Sequence, residues 1–289
     1  MLDQAFSWLD RVEYPFQSNY HRINSHQLHY IDEGSGDLLL FVHGTPSWSF
    51  DFRNVIVRLR DSFRCIAIDH IGFGLSDKPE VFDYSTINHS KTLEKFVLEK
   101  DLQNITLVVH DFGGPIGLHF AMQHPDRIKK MVVLNSWMWS SIGDPAFIKL
   151  SKLLKSPLLP FLYLYLNFSP RFILPRSFGD HKPSKKILKH YSKPFADNSQ
   201  RYGALAFARS LLFDQNWFES LWERRFILSN KPILFVWGMK DPIIAPNYLA
   251  KFAEGFANSK IVKLTNCGHF PQEEKAEEVS RAIQEFLIE

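Results

Sequence analysis

The stretch Val-Val-His-Asp-Phe-Gly-Gly-Pro at residues 108–115 joins two predicted elements of different kinds. The apolar run at 105–109 predicts a buried strand that ends at His110-Asp111, and the apolar-periodic segment after Gly113 and Gly114 predicts a helix. A charged residue on a sharp strand-to-helix turn with small neighbours is typical of a nucleophile elbow. Such a turn lifts one side chain above the sheet, next to a helix N-terminus that favours negative charge. Because that side chain is a carboxylate here, the stretch favours attack on saturated or strained carbon over acyl transfer on carbonyls.

A second interpretation of Asp111 is an ordinary helix cap, which is a common role of aspartate. Asp-Phe-Gly also occurs in protein kinases, but the chain has neither their Gly-rich phosphate loop nor their His-Arg-Asp catalytic loop. The choice between elbow and cap therefore depends on the rest of the chain.

Predicted strands and helices alternate along most of the sequence, which is typical of an α/β protein with a mostly parallel, doubly wound sheet. The predicted strands are 28–32, 38–43, 64–69, 105–110, 131–135, 233–237 and 260–264, and the predicted helices lie near 49–60, 86–100, 114–124, 246–257 and 272–288. From 136 to about 230 no clear strand appears, and the segment is rich in Trp, Tyr, Leu and Phe. We therefore expect a core of residues 1–135 and 231–289. A helical cap (lid) at 136–230 would be inserted after the fifth or sixth strand.

The overall composition indicates which classes of partner and which cellular compartment to expect. With 34 basic and 31 acidic residues, and no dense basic cluster, the chain lacks the charge pattern of a nucleic-acid-binding protein. Its two cysteines, Cys65 and Cys267, do not make a disulfide framework, and the N-terminus lacks the pattern of a signal peptide. These features predict a cytoplasmic protein. The 26 phenylalanines fit both core filling and an apolar substrate cavity.

One apolar piece of the predicted cap, residues 157–168, is too short and too interrupted by proline to span a membrane. Three lysines, Lys149, Lys152 and Lys155, precede it, so a role at a membrane surface is one alternative. We favour a lid helix that lines an apolar entrance.

Three further turns carry candidate site residues. His43-Gly-Thr-Pro46 follows a strand beside the elbow, where the backbone N–H groups of Thr45 and Phe112 would form an oxyanion hole. Asp241 follows the strand at 233–237, and His269 follows the last strand with a glycine before it. His269 is then a general base acting on water, oriented by Asp241.

The order of nucleophile, acid and histidine is the order of an α/β-hydrolase, and the chain resembles the haloalkane dehalogenase group of that fold over nearly its full length. The resemblance rests on the Asp111 elbow and on the motifs at 43–50, 69–79, 237–242 and 268–272. It implies the α/β-hydrolase fold with the cap after strand 6, and Asp111, Asp241 and His269 as the triad. Another branch of the fold carries its acid after strand 6, where this chain has Asn135.

Two positions depart from the family pattern. Phe112 stands where the family usually has a tryptophan that binds the leaving halide, and Thr45 stands where asparagine or glutamate is frequent. Another indole is then needed as a donor. The candidate substrate or halide contacts are Trp48, Trp137 and Trp139, with Trp217 a further possibility.

The resemblance implies a hydrolase with an aspartate nucleophile, an ester intermediate and no cofactor or metal, acting on a small apolar organic substrate. Haloalkane hydrolysis leads. Epoxide hydrolysis, with lid tyrosines as acids (Tyr163, Tyr165, Tyr191, Tyr202), and β-lactone processing use the same triad. A non-catalytic ligand-binding protein of the same fold ranks below them.

Overall fold

An eight-stranded sheet runs through the computed structural model, which describes residues 6–288. The strands lie in the order β1-β2-β4-β3-β5-β6-β7-β8. β2 is antiparallel to both β1 and β4, and all other neighbours are parallel. The strands are β1 (Asn19–Ile23), β2 (His26–Glu33), β3 (Leu38–Val42), β4 (Arg64–Ile68), β5 (Ile105–Asp111), β6 (Ile128–Ser136), β7 (Ile233–Gly238) and β8 (Ser259–Leu264).

Helices cover both faces of this sheet. They are α1 (Arg53–Leu59), α2 (Thr86–Glu99), α3 (Gly113–Gln123), α4 (Pro145–Leu154), α5 (Leu159–Leu164), α6 (Lys185–Ser192), α7 (Tyr202–Phe213), α8 (Gln215–Glu223), α9 (Pro246–Gly255), α10 (Pro271–Glu274) and α11 (Ala276–Ile288). Along β5 the side chains alternate between two apolar clusters, because successive strand residues point to opposite faces. Leu107 and Val109 belong to one cluster and Val108 to the other. The predicted doubly wound α/β sheet is therefore confirmed.

All seven predicted strands are present, and β1 is an additional one. Only Ile23 of its five residues is buried, so β1 lacks the apolar run that marks the central strands. It lies at the sheet edge and pairs with β2. Edge strands with polar faces give weak sequence signals because only part of their surface packs on the core.

The chain between β6 and β7 is helical and contains no strand in the described residues. We call residues 137–232 the helical insertion. It follows strand 6 as expected, and β6 extends through Ser136, one residue past the predicted boundary. Every helix among residues 6–288 is too short or too polar to span a bilayer. Residues 1–5, on which the prediction about a signal peptide partly rests, lie outside the described residues.

Candidate active site

Asp111 ends β5 in a conformation that few residues adopt. Its φ is 52°, in the left-handed region, and the next residue, Phe112, begins α3 as its N-cap without any side-chain capping bond. Small residues make room for this turn: a Cβ on Gly113 would lie 2.0 Å from the Val42 carbonyl oxygen, and one on Gly44 would lie 2.1 Å from Asp111 Oδ1. The geometry is that of the elbow, and the helix-cap interpretation of Asp111 is wrong.

The side chains of Asp111, Asp241 and His269 meet above the carboxyl ends of β5, β7 and β8. His269 Nδ1 lies 2.7 Å from Asp241 Oδ2, and His269 Nε2 lies 3.4 Å from Asp111 Oδ2. All three residues are buried. The imidazole thus stands between two carboxylates that come from separate parts of the chain.

The charges in this cluster depend on one another. Burial alone would lower the pKa of His269, but the charge of Asp241 and the hydrogen bonds to both carboxylates outweigh it and raise the pKa to about 10. Burial would raise the pKa of Asp111, yet the hydrogen bond and charge of His269 hold it below its usual range. At neutral pH the free site therefore holds an imidazolium between two carboxylates.

The loop of His269 is fixed by backbone contacts. Its N–H donates to the Ser177 carbonyl at 2.8 Å, and its own carbonyl oxygen lies 2.7 Å from His110 Nε2. A Cβ on Gly268 would lie 2.3 Å from the same Ser177 oxygen, which explains the glycine before the histidine. Because Ser177 belongs to the helical insertion, the insertion helps to position the base.

Asn135 is a residue whose role sequence reasoning missed. Its Nδ2 donates to Asp241 Oδ2 at 2.8 Å, and the Gly238 N–H donates to its Oδ1 at 2.8 Å. Asp241 Oδ1 accepts the N–H groups of Ile243 and Ile244, so the carboxylate is held on every side. The sequence could have predicted this contact, because β6 and β7 are parallel neighbours and Asn135 and Asp241 lie near their carboxyl ends.

The turn after β3 reaches Asp111. The Thr45 N–H donates to Asp111 Oδ1 at 2.8 Å, as the oxyanion-hole interpretation requires. The Phe112 N–H makes no bond to that carboxylate in the described residues, so its part in the hole stays a prediction. Thr45 Oγ1 is buried without a partner among the described residues.

Comparison with known proteins gives this geometry a family. Residues 37–276 match the alpha/beta hydrolase fold family. The chain belongs to that family. It is 34% identical to haloalkane dehalogenase 2 of Mycobacterium tuberculosis over an alignment of 276 residues. The alignment covers 94% of this chain and 95% of the relative.

Two further likenesses bear on the chemistry of this α/β-hydrolase. Cis-3-alkyl-4-alkyloxetan-2-one decarboxylase of Shewanella oneidensis is 33% identical over 285 residues, covering 95% of this chain and 89% of that protein. The solved structure of the haloalkane dehalogenase DatA from Agrobacterium tumefaciens superposes with a TM-score of 0.84 at 25% identity, covering 94% and 96%. The resemblance inferred from the motifs is confirmed: the chain is a haloalkane dehalogenase-like hydrolase.

Among the candidate indoles, Trp137 is the one whose ring packs against the elbow in the described residues. Its ring centroid lies 4.8 Å from that of Phe112, edge to face, and its Nε1 is buried with no hydrogen-bond partner in the described residues. Leaving such a donor unsatisfied costs about 1–3 kcal/mol. Trp139 instead packs against Trp222, Tyr248 and Phe252.

The expectation that Trp48 contacts the substrate or halide is wrong. Its indole N–H donates to the backbone carbonyl of His190 at 3.0 Å. The ring is wholly buried in the apolar cluster that does not contain Phe112. Its donor is therefore already used, on the other face of the sheet.

One tyrosine of the helical insertion lies within reach of the Asp111 charge. Burial, and secondarily that charge, raise the pKa of Tyr163 to about 12, although a hydrogen bond with Ser169 opposes them. Tyr165 is exposed, and Tyr191 donates its hydroxyl to Glu273. Tyr163 is thus a buried phenol that keeps its proton at physiological pH.

Proposed function

We propose that the protein hydrolyses the carbon–halogen bond of small apolar haloalkanes through an ester on Asp111. The carrying observation is that His269 stands between Asp111 and Asp241, with the Trp137 ring against Phe112 of the elbow and its Nε1 without a partner in the described residues. The dehalogenases among the relatives support this reaction class. The cytoplasm is the proposed compartment, which the two free, buried cysteines support. The helical insertion is the proposed lid.

In the first step, Asp111 Oδ2 attacks the carbon that bears the halogen. The new C–O bond forms as the carbon–halogen bond breaks, and the halide leaves with the bonding electron pair. Oδ1 does not attack, because the Thr45 N–H holds it at 2.8 Å. The product is a neutral alkyl ester of Asp111 and a free halide ion.

In the second step, His269 removes a proton from water, and the resulting hydroxide attacks the ester carbonyl. The Thr45 N–H then stabilises the negative charge on Oδ1, and the tetrahedral intermediate collapses as the bond between the carboxyl carbon and the alkoxy oxygen breaks. The imidazolium gives its proton to the departing alkoxide, which leaves as the alcohol. The new carboxyl group passes its own proton to His269 and becomes the carboxylate again. Asp241 stabilises the imidazolium that forms. One water and one haloalkane become an alcohol, a halide ion and a proton.

The pKa of His269 links the two steps. In the free site both carboxylates raise it to about 10, so the imidazole is protonated and cannot act as a base. Esterification neutralises Asp111 and removes one of these two influences. The pKa of His269 therefore falls in the intermediate, so the imidazolium releases its proton to solvent and the neutral base becomes available.

The leaving halide needs donors, because a half-buried anion without them costs several kcal/mol. Two residues that contact the elbow carry a buried donor with no partner in the described residues, Trp137 Nε1 and Thr45 Oγ1. We assign both to the leaving group. They would replace the donors that this chain lacks at positions 112 and 45, where it departs from the family pattern.

A second candidate function is the opening of a strained C–O ring, an epoxide or a β-lactone. The specific observation is Tyr163, a buried tyrosine of the insertion whose pKa burial and, to a lesser extent, the Asp111 charge raise to about 12, so that its phenol stays protonated. Attack by Asp111 on an epoxide carbon would break the ring C–O bond, and Tyr163 would protonate the departing oxygen. The oxetanone decarboxylase relative adds weight to the lactone.

The deciding experiment traps the ester. His269→Ala protein is incubated with a bromoalkane, a 1,2-epoxide and a cis-dialkyl β-lactone of matched chain length, and its intact mass is measured. A haloalkane adduct adds the substrate mass less one hydrogen halide, whereas an opened ring adds the whole molecule. The double variant Asp111→Ala/His269→Ala is the matched control and should stay unmodified.

We expect the bromoalkane adduct, located on Asp111 by peptide mapping. An adduct from the epoxide or the lactone alone would replace the proposal with the second candidate. If none of the three reagents labels Asp111 although ligands bind, the non-catalytic ligand-binding function is favoured.

A further inference from the structure

The outer surface of the first two helices of the insertion is unusually apolar. Half of the exposed large hydrophobic side chains in the described residues lie between residues 142 and 172, although this is a small part of the chain. They include Ile148 and Leu153 on α4, Leu158 just before α5, and Phe161 on α5. Exposed apolar side chains concentrated in this way are typical of an interaction site. We call residues 142–172 the cap face.

Beyond Asp144, the cap face and the residues just after it carry charge of one sign. Between Asp144 and Asp180 the sequence has no acidic residue and five basic ones, and all five are exposed. Three of these, Lys149, Lys152 and Lys155, alternate with exposed aliphatic side chains on and just after α4. None of the five makes an ion pair within residues 6–288. Their charges are therefore free to act on a partner.

A groove opens within the same surface. It encloses about 710 Å³ between α4, α5 and α7. Its wall includes the exposed Ile148 and Phe213, the buried Leu159, and two cations without an ion-pair partner in the described residues, Lys155 and Arg209. The groove thus adds apolar wall and two cations to the same surface.

We propose that the cap face docks on the surface of an anionic lipid bilayer. The argument is charge complementarity. A second copy of the chain would bring two basic faces together, and neutral lipid would leave the cations uncompensated. Anionic headgroups compensate the lysines while the intervening aliphatic and aromatic side chains enter the boundary of the acyl layer. The inference concerns surface binding and holds whichever leaving group the site takes.

Vesicle co-sedimentation of the full chain tests this surface. The probes are vesicles of phosphatidylcholine alone and of phosphatidylcholine with phosphatidylglycerol in equal parts. We expect the protein to bind the anionic vesicles at least tenfold more tightly, and to release as salt is raised from 50 mM to 500 mM, because salt screens exposed charges.

Two double variants separate the apolar and the charged contributions. Leu158→Ser/Phe161→Ser removes apolar contact, and Lys149→Glu/Lys152→Glu reverses charge. Each should reduce binding at least tenfold. The matched controls lie elsewhere on the surface, Phe226→Ser and Lys91→Glu/Lys263→Glu, and should bind as the parent does. Circular dichroism verifies that every variant is folded.

Three results would overturn the proposal: equal binding to neutral and anionic vesicles, no binding to either, or equal losses in the cap-face variants and their controls. Sedimentation velocity tests the alternative occupant, a second copy of this chain. If the parent is a dimer that Leu158→Ser/Phe161→Ser dissociates, and vesicles do not bind, the cap face is an interface between copies of this chain.

Discussion

The two sides of the candidate site differ in how their polar atoms are satisfied. On the sheet side, each oxygen of Asp241 accepts hydrogen bonds from the protein, and His269 is held between two carboxylates. On the leaving-group side, Trp137 Nε1 and Thr45 Oγ1 have no partner in the described residues. The fold thus completes the nucleophile and its base, while donors remain for a bound molecule to satisfy. We expect substitutions on the sheet side to abolish turnover and those on the leaving-group side to tune it.

The largest effect should come from Asp111→Ala, because no other group can form the ester. We expect turnover of a bromoalkane to fall by about 10⁴-fold or more, in the range found when a catalytic triad loses a member. Single-turnover assays with mass detection would measure the loss. Near-native rates would refute the assignment of the nucleophile.

Asp111→Gly is the matched control for backbone strain at the elbow. Both variants lack the carboxylate, but only glycine adopts a φ of 52° without steric cost. Asp111→Gly should therefore have a free energy of unfolding about 1 kcal/mol higher than Asp111→Ala. Equal values would mean that the elbow relaxes in the variants.

The next effect concerns the acid. Asp241→Asn should lower turnover by about 10³-fold, because the imidazolium loses its countercharge. Asn135 shares Asp241 Oδ2 with His269, so a carboxylate at position 135 would lie in the same hydrogen-bond network. We expect Asn135→Asp in the Asp241→Asn background to raise turnover at least tenfold above that of Asp241→Asn alone. Failure of the rescue would show that the two positions are not equivalent toward His269.

The sequence predicted the sheet side well for a physical reason. Asp111 ends β5, Asp241 and His269 lie in the turns after β7 and β8, and parallel strands bring their carboxyl ends to one edge whatever packs around them. Chain order and turn residues such as Gly268 were therefore enough to predict their meeting. Asn135 obeys the same rule, but an amide carries no chemistry of its own and so drew attention only as a missing carboxylate.

The leaving-group side could not be predicted in the same way. Trp48, Trp137 and Trp139 have the same indole, and which one faces the elbow is decided by packing. The Trp48 N–H donates to the His190 carbonyl, and the Trp139 ring packs in a separate aromatic cluster. The helical insertion has no repeating register that would fix such contacts from sequence. β1 was missed for a related reason, since only Ile23 is buried there.

Trp137→Phe is the sharpest test of the leaving-group side. It keeps the ring beside Phe112 but removes the N–H, so we expect kcat/KM for bromoalkanes to fall by about 10²-fold, as when a transition-state donor is lost. Bromide should also inhibit the variant less. Trp139→Phe is the matched control, and losses of equal size in the two variants would show that the indole acts through packing alone.

The pH dependence should separate the two half-reactions. Alkylation needs ionised Asp111, whose pKa lies below its usual range, so its rate should be flat from about pH 5 upward. Ester hydrolysis needs neutral His269, whose pKa in the ester lies below the value of about 10 in the free site. Its rate should rise about tenfold per pH unit until that lower pKa is reached. Rapid quench with mass detection follows both steps, and parallel pH slopes would contradict the proposed role of His269.

The smallest effect is a gain. Phe112→Trp restores the indole that the family usually carries beside its nucleophile and adds a third donor to Trp137 and Thr45. Phe112 is stacked against Phe207, with ring centroids 4.7 Å apart, so the larger ring should lower the free energy of unfolding by about 1–3 kcal/mol. We expect kcat/KM for bromoalkanes to rise several-fold and activity on an epoxide of matched length to stay unchanged, since an indole binds a halide but does not protonate an alkoxide. If the parent already turns over simple chloro- and bromoalkanes rapidly and Phe112→Trp adds nothing, Trp137 and Thr45 suffice for the halide. The tryptophan after the nucleophile would then be one of several arrangements of donors that this fold allows.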